Sequence, residues 1–158
     1  IMPSVITHGI IGYILFGFKG LIISIIPDII GFGYYFYRMF FIEKTINFNK
    51  SVYTWAPIDK MNKLDWFLYN ISHSLIFWFL LYYIFKEKFI LAAIISIIVD
   101  IFLHSKDRWL GPAFLYPLSE YRFDGIHWLS NTGKVISVII ILITYLQKQN
   151  ILKILSKV

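Results

Sequence analysis

Long apolar runs separated by short polar breaks organise this chain, and their lengths suit helices. The first run extends from Val5 to Ile26 and is interrupted at Gly17-Phe18-Lys19-Gly20. Two glycines around a lysine predict a turn, and so a helical hairpin with arms near 3–16 and 20–27. Ile29–Phe41 is helix-compatible and rich in aromatic residues (Tyr34, Tyr35, Phe36, Tyr37), as expected at a membrane–water interface. The longest polar connection follows, from Glu43 to Lys63. Trp66–Phe85 has the length of a spanning helix, Lys86-Glu87-Lys88 makes a charged turn, and Phe89–Ser105 is its expected antiparallel partner. Residues 106–133 carry Gly111, Pro112, Pro117, Gly125 and Gly133 and predict a structured loop with one short helix. Lys134–Leu146 is the last apolar helix, extended by an amphipathic tail over Gln147–Val158.

Composition turns this pattern into a membrane protein. The 158 residues are 58% hydrophobic, 20% aromatic and only 15% charged, against about 25% charged in an ordinary globular domain. A domain of this size still exposes roughly a third of its unfolded surface, so it cannot hide so many apolar side chains alone. Disorder is excluded. The expected fold is all-α: one membrane-embedded domain, residues 1–158, forming a bundle of about four to six helices built from hairpins, in contact with lipid.

The net charge of +6 brings nucleic acid to mind, but the 15 basic residues lie mainly between apolar runs and form no basic face. No nucleic-acid partner is expected. The loops 27–65 and 106–134 hold most of the positive charge and are predicted to be cytoplasmic. Cysteine is absent, which removes disulfides and thiolate metal sites. No small-residue cleavage site follows the first run, so it is expected to be retained.

Against this background a few polar residues stand where membrane helices rarely tolerate them: His8, Asp28, His73, Asp100 and His104. A charged group near a bilayer centre costs at least about 2.5–3.5 kcal/mol on insertion scales. Singly, each has a bland reading: Pro27-Asp28 as a helix start, His8 as a hydrogen-bonded residue near the surface. Their register is more telling. His8 and Asp28 lie about ten residues either side of the first turn and are therefore level. His73, Asp100 and His104 meet near one level at the open end of the second hairpin, and Asp100 and His104 share a face at i, i+4. Three imidazoles and two carboxylates are the donor set of a divalent transition-metal site without thiolates, with Zn²⁺ the first choice. A buried His–Asp hydrogen-bond network is the competing reading. His127 is expected in a loop near an interface. Ser74 and Ser105 each follow a candidate ligand and are expected to support it by hydrogen bonds. Lys106, Asp107 and Arg108 read as a solvated loop or as an anion-binding group.

An ordered series of short motifs resembles the membrane-bound metal-dependent hydrolases of the YdjM type, small prokaryotic inner-membrane proteins. These are Thr7-His8, Ile26-Pro27-Asp28, His73-Ser74-Leu75, Asp100-Ile101-Phe102-Leu103-His104-Ser105, Pro112 through Ser119, and Phe123-Asp124-Gly125-Ile126-His127-Trp128. The chain departs from the family before the second apolar helix, where a His and an Arg are missing from Leu68–Ser74. It departs again at Ser96, where many members carry a His; His104 is the candidate substitute. The resemblance implies an inner-membrane, metal-dependent hydrolase of a phosphoester or ester, with a lipid-linked substrate one option. The five residues would hold one or two divalent ions, with Asp28 or Asp100 as general base. The alternative from another class is a noncatalytic membrane scaffold or subunit with a structural metal or a His/Asp hydrogen-bond site. Transport is disfavoured, because the polar residues converge at one level rather than lining a path.

Overall fold

The computed structural model describes residues 3–44, 60–104, 111–127 and 130–155, and these are helical with no strand among them. Helix α1 (Pro3–Tyr37) is followed by a π-helical turn (Arg38–Ile42), α2 (Lys63–Ser72), α3 (Leu75–Phe85), a 3₁₀ turn (Lys88–Ile90), α4 (Leu91–Leu103), α5 (Asn131–Leu146) and α6 (Lys148–Leu155).

Helix α1 is two antiparallel arms. Gly17 has φ 65° and ψ −151°, a backbone state essentially reserved for glycine, and the chain reverses there. A continuous helix would place His8 and Asp28 ~30 Å apart; their side chains are hydrogen-bonded at 3.0 Å. The arms cross where glycine leaves room: a Cβ on Gly12 would lie 2.6 Å from Ser24 Oγ and inside the carbonyl of Gly20. Small residues at such crossings let helix backbones approach closely in a bilayer. The expected hairpin is therefore present, but its second arm does not stop at Pro27. Pro27 lies inside the helix, and the missing N–H leaves the carbonyl four residues earlier without its helical partner.

Trp66–Phe85 is not one straight helix, as the nearly continuous apolar run suggested. It bends by 54° between α2 and α3. His73 closes α2, and Ser74 is extended (φ −83°, ψ 123°) and caps α3 by accepting from the Phe77 N–H. Two bonds from the 111–127 loop hold the break open: Leu75 N–H to the Phe114 carbonyl at 2.9 Å and Ser74 Oγ to the Tyr116 carbonyl at 2.5 Å. Within residues 111–127 the chain makes turns and no helix, so the short helix expected there is absent from the described residues. The tail does continue as α6, bent 74° from α5.

Helix α4 lies at the centre, packed chiefly against α1, with Ala93, Ile97 and Asp100 in one buried stripe at helical spacing. One apolar cluster gathers Ile11, Leu15, Phe32, Tyr69, Val99 and Leu103; a second gathers Trp78, Ile90, Leu91, Ala93, Ile94 and Ile97. The outside is apolar as well: Phe41 and Tyr83 are each 70% exposed. Val5–Ile42 is long and apolar enough to cross a membrane by length and composition; because the chain reverses at Gly17, that length lies in the second arm, and the bent pairs α2–α3 and α5–α6 pass the same test as pairs.

Arg38, counted above among loop charges, is a buried ion-pair partner. Its guanidinium contacts Glu43, the Lys60 carbonyl at 2.6 Å and Asp65 Oδ2 at 2.5 Å. Asp65 also closes the capping box that starts α2, accepting from Asn62 N–H while its own N–H bonds Asn62 Oδ1. Arg38→Met leaves Asp65 buried without its cation and is expected to cost about 3–5 kcal/mol. Thermal unfolding in detergent measures this, and the Arg38→Met/Asp65→Leu pair is expected to recover much of the loss.

Candidate metal centre

The two hairpins bring all five predicted residues together. His8 and Asp28 come from the two arms of α1, His73 from the break between α2 and α3, and Asp100 and His104 from the last turn of α4. All are buried, with Asp100 at 1% exposure and Asp28 at 6%. His8 bridges the carboxylates: Nδ1 bonds Asp28 Oδ2 at 3.0 Å, and Nε2 lies 3.1 Å from Asp100 Oδ1. His73 Nε2 faces Asp28 Oδ1 at 3.5 Å and Asp100 Oδ2 at 3.9 Å. His104 Nδ1 lies 3.1 Å from the Asp100 carbonyl and 3.3 Å from its Oδ1. One donor atom from each of His8, Asp28 and Asp100 lies within 4.8 Å of the others, a set able to hold a metal ion.

Neighbours set the tautomer of His73. His73 Nδ1 lies 3.1 Å from the Tyr69 carbonyl and 3.0 Å from Ser72 Oγ, whose own hydroxyl donates to that same carbonyl. A carbonyl accepts only, so Nδ1 carries the proton and Nε2 presents a lone pair to the carboxylates. At His8 both ring nitrogens face carboxylates, Nδ1 at Asp28 and Nε2 at Asp100, so its neighbours do not choose one tautomer. His8 Nε2 and both Asp100 carboxylate oxygens have no hydrogen-bond partner, despite being fully buried. Two carboxylates buried against imidazole nitrogens need a balancing cation, which either an imidazolium at His8 or a metal ion held by the group supplies. Two donors at ~2.0–2.1 Å from one ion lie about 2.9–3.4 Å apart in octahedral or tetrahedral geometry, and 3.1 Å between His8 Nε2 and Asp100 Oδ1 fits that range.

Several supports were not singled out from the sequence. Ser72, rather than Ser74, bonds the His73 ring; Ser74 caps α3 and ties the loop. The Tyr69 ring stacks on the His73 imidazole with centroids 4.4 Å apart. Arg122 joins the loop to α2, bonding the Gly111 carbonyl and Asn70 Oδ1 at 2.6 Å each and lying over the Tyr69 and Trp66 rings. Burial pushes its guanidinium below the usual value, with Tyr69 and Glu120 opposing the shift. The loop closes on α4 through Gly125 N–H to the His104 carbonyl and Ile126 N–H to the Phe102 carbonyl, 2.8 Å each. His127 is half-buried ahead of α5, where its carbonyl accepts from the Ser130 N–H and hydroxyl. Ser105, Lys106, Asp107 and Arg108 lie outside the described residues.

Gly31 follows Asp28 by three positions on the same helix face, the one sequence signal that could have marked it. A Cβ there would lie 2.9 Å from His73 Cε1 and 3.0 Å from Ser72 Oγ. Alanine normally stabilises a helix interior by up to ~1 kcal/mol over glycine. At this position the crowding is expected to reverse the sign, costing about 1–3 kcal/mol and moving the imidazole. Unfolding and metal-binding measurements on Gly31→Ala check both effects. No protein-family model, curated protein or solved structure matches the chain, and the centre is interpreted from its own chemistry.

Proposed function

We propose that the His/Asp cluster is a divalent-metal centre in a membrane-embedded protein, and that it serves hydrolysis of a phosphoester or ester, with lipid-linked substrates favoured. The observation that carries the metal assignment is the Asp100 carboxylate, buried with no hydrogen-bond donor and facing a histidine nitrogen at 3.1 Å. His8, Asp28 and Asp100 hold the ion, His73 offers Nε2 as a further donor, and His104 steadies Asp100. Zn²⁺ is the first choice for this nitrogen and carboxylate set. A bound divalent ion supplies polarisation of a substrate oxygen and acidifies a water. The chain's own residues supply the rest. Ser72 and the Tyr69 carbonyl hold the His73 proton on Nδ1 and keep its ring oriented. Asp28 is the more exposed of the two carboxylates, so an entering water meets it first, and it is assigned as the proton acceptor. It is flanked by Ile29 and Ile30, both exposed and apolar, on the side from which a lipid would approach. The sequence resemblance described above points to the same chemistry and to a prokaryotic inner membrane.

A second reading draws on the burial of all five side chains: a closed structural centre in a scaffold or subunit, with no substrate position. Elemental analysis of detergent-purified wild type beside His73→Ala and Asp100→Ala tests the centre, and phosphodiester and phospholipid hydrolysis assays test the activity. Near-stoichiometric metal in the wild type, lost in both variants, with metal-dependent hydrolysis, supports the enzyme. Metal without hydrolysis supports the structural centre. A wild type that stays metal-free after incubation with Zn²⁺, Mn²⁺ and Fe²⁺ overturns the metal centre and the hydrolase, and leaves the five residues as a structural hydrogen-bond network.

A further inference from the structure

A groove of about 400 Å³ lies away from the His/Asp centre, between the second arm of α1, helix α3 and the 3₁₀ turn before α4. That volume is within the ~300–1,000 Å³ usual for small-molecule sites. Its walls are Ile23, Ile26 and Ile30 on one side and Trp78 and Leu81 on the other. No polar surface lines it. Along α1, Ile23, Ile26 and Ile30 recur at helical spacing, so the groove runs with the helix axis and is a slot rather than a round cup. Its inner end reaches Ile30, next to the Gly31 that abuts His73.

The other end is different in kind. There Phe85, Glu87 and Phe89 line the groove at the closed ends of both hairpins. Two lysines stand at that end. Lys19 Nζ lies 5.5 Å from the centre of the Phe89 ring, and Lys88 falls between Glu87 and Phe89 in sequence, whereas the Lys86 ammonium lies over the Tyr83 ring, outside the groove. Lys19 and Lys88 are exposed, and neither makes an ion pair among the described residues. With Glu87 counted, this end carries a surplus of positive charge. An apolar slot ending in cations matches a molecule with an extended hydrocarbon chain and an anionic head.

We propose that this groove binds one phospholipid, an acyl chain lying along Ile23, Ile26 and Ile30 and the phosphate meeting Lys19 and Lys88. The proposal rests on membrane residence but not on hydrolysis. The lipid head lies at the hairpin tips and the His/Asp centre at their open ends, so this lipid is a resident that fills the space between α1 and α3.

Native mass spectrometry of detergent-purified protein, incubated separately with phosphatidylglycerol, phosphatidylethanolamine and diacylglycerol of equal chain length, tests it. The wild type is expected to retain one phospholipid and to bind diacylglycerol much more weakly. Leu81→Trp, which fills the slot from α3, is expected to reduce retention about tenfold; Ile26→Trp, filling it from α1, is the independent second variant. Lys19→Gln and Lys88→Gln are each expected to reduce retention about fivefold. Helix content by circular dichroism and metal content are measured on every variant, so loss of the fold or of the metal centre is read separately. A wild type that retains no phospholipid, or equal retention in either groove-filled variant with intact helix content, overturns the site. Equal retention of diacylglycerol and phospholipid overturns the phosphate contact.

Discussion

Asp100→Asn is expected to abolish metal retention while leaving the metal-free protein as stable as the wild type, or up to about 1 kcal/mol more stable. The wild-type carboxylate is 1% exposed and both of its oxygens lack a hydrogen-bond donor, so without a cation its charge is a cost rather than a contribution. An asparagine amide removes that charge and places an N–H donor 3.1 Å from His8 Nε2, where the carboxylate oxygen now lies. Loss of a direct ligand is expected to weaken metal binding by more than about 100-fold, the upper end of what loss of an outer-shell partner alone produces. Thermal unfolding with and without chelator checks the sign: chelation lowers the wild-type midpoint and leaves that of Asp100→Asn unchanged. A purely hydrogen-bonded His–Asp network predicts the opposite pattern. Its wild type ignores chelator, and its Asp100→Asn loses about 3–5 kcal/mol because a buried charge pair has been broken.

The other large effect is expected at the crossing of the α1 arms, about one helical turn from His8 and Asp28. A Cβ on Gly20 would lie inside the carbonyl of Gly12 and 2.6 Å from Phe16 Cβ. Neither neighbour is a flexible side-chain end that could swing aside, so the arms must part. Gly20→Ala is therefore expected to cost about 3 kcal/mol or more, at the top of the over-packing range. It is also expected to weaken metal binding, because separating the arms separates His8 from Asp28. Gly33→Ala is the control. It is exposed, nothing lies within 4 Å of its would-be Cβ, and it is expected to gain ~0.5–1 kcal/mol from helix propensity alone. Unfolding midpoints and metal content of both variants, measured side by side, separate steric crowding from propensity.

Much of this molecule was legible along the chain. Apolar runs of helical length, with Gly17 and Lys19 breaking the first, placed a reversal where the backbone makes one. Counting outward from two turns at equal rise per residue put His8 level with Asp28, and His73 level with Asp100 and His104. That works because antiparallel helices of equal rise keep register, so position in the sequence becomes height in the bundle. The donor types were legible for a related reason: ionisable groups in apolar helices are too costly to be incidental.

Other features were decided only by packing in three dimensions. Pro27 and the nearly continuous run Trp66–Phe85 misled in opposite directions. The proline stays inside a helix, while the apolar run breaks at Ser74 because a loop some forty residues later supplies Phe114 and Tyr116 carbonyls to its backbone and hydroxyl. Such partners are distant in sequence, so no local propensity records them. The same holds for the tautomer of His73, the stacking of Tyr69, the burial of Arg38 against Asp65 and the apolar slot between α1 and α3. The order of residues determined which groups stand at one height. The tertiary structure decided which way they face and what surrounds them, because direction and desolvation are properties of neighbours that the chain brings together only when it folds.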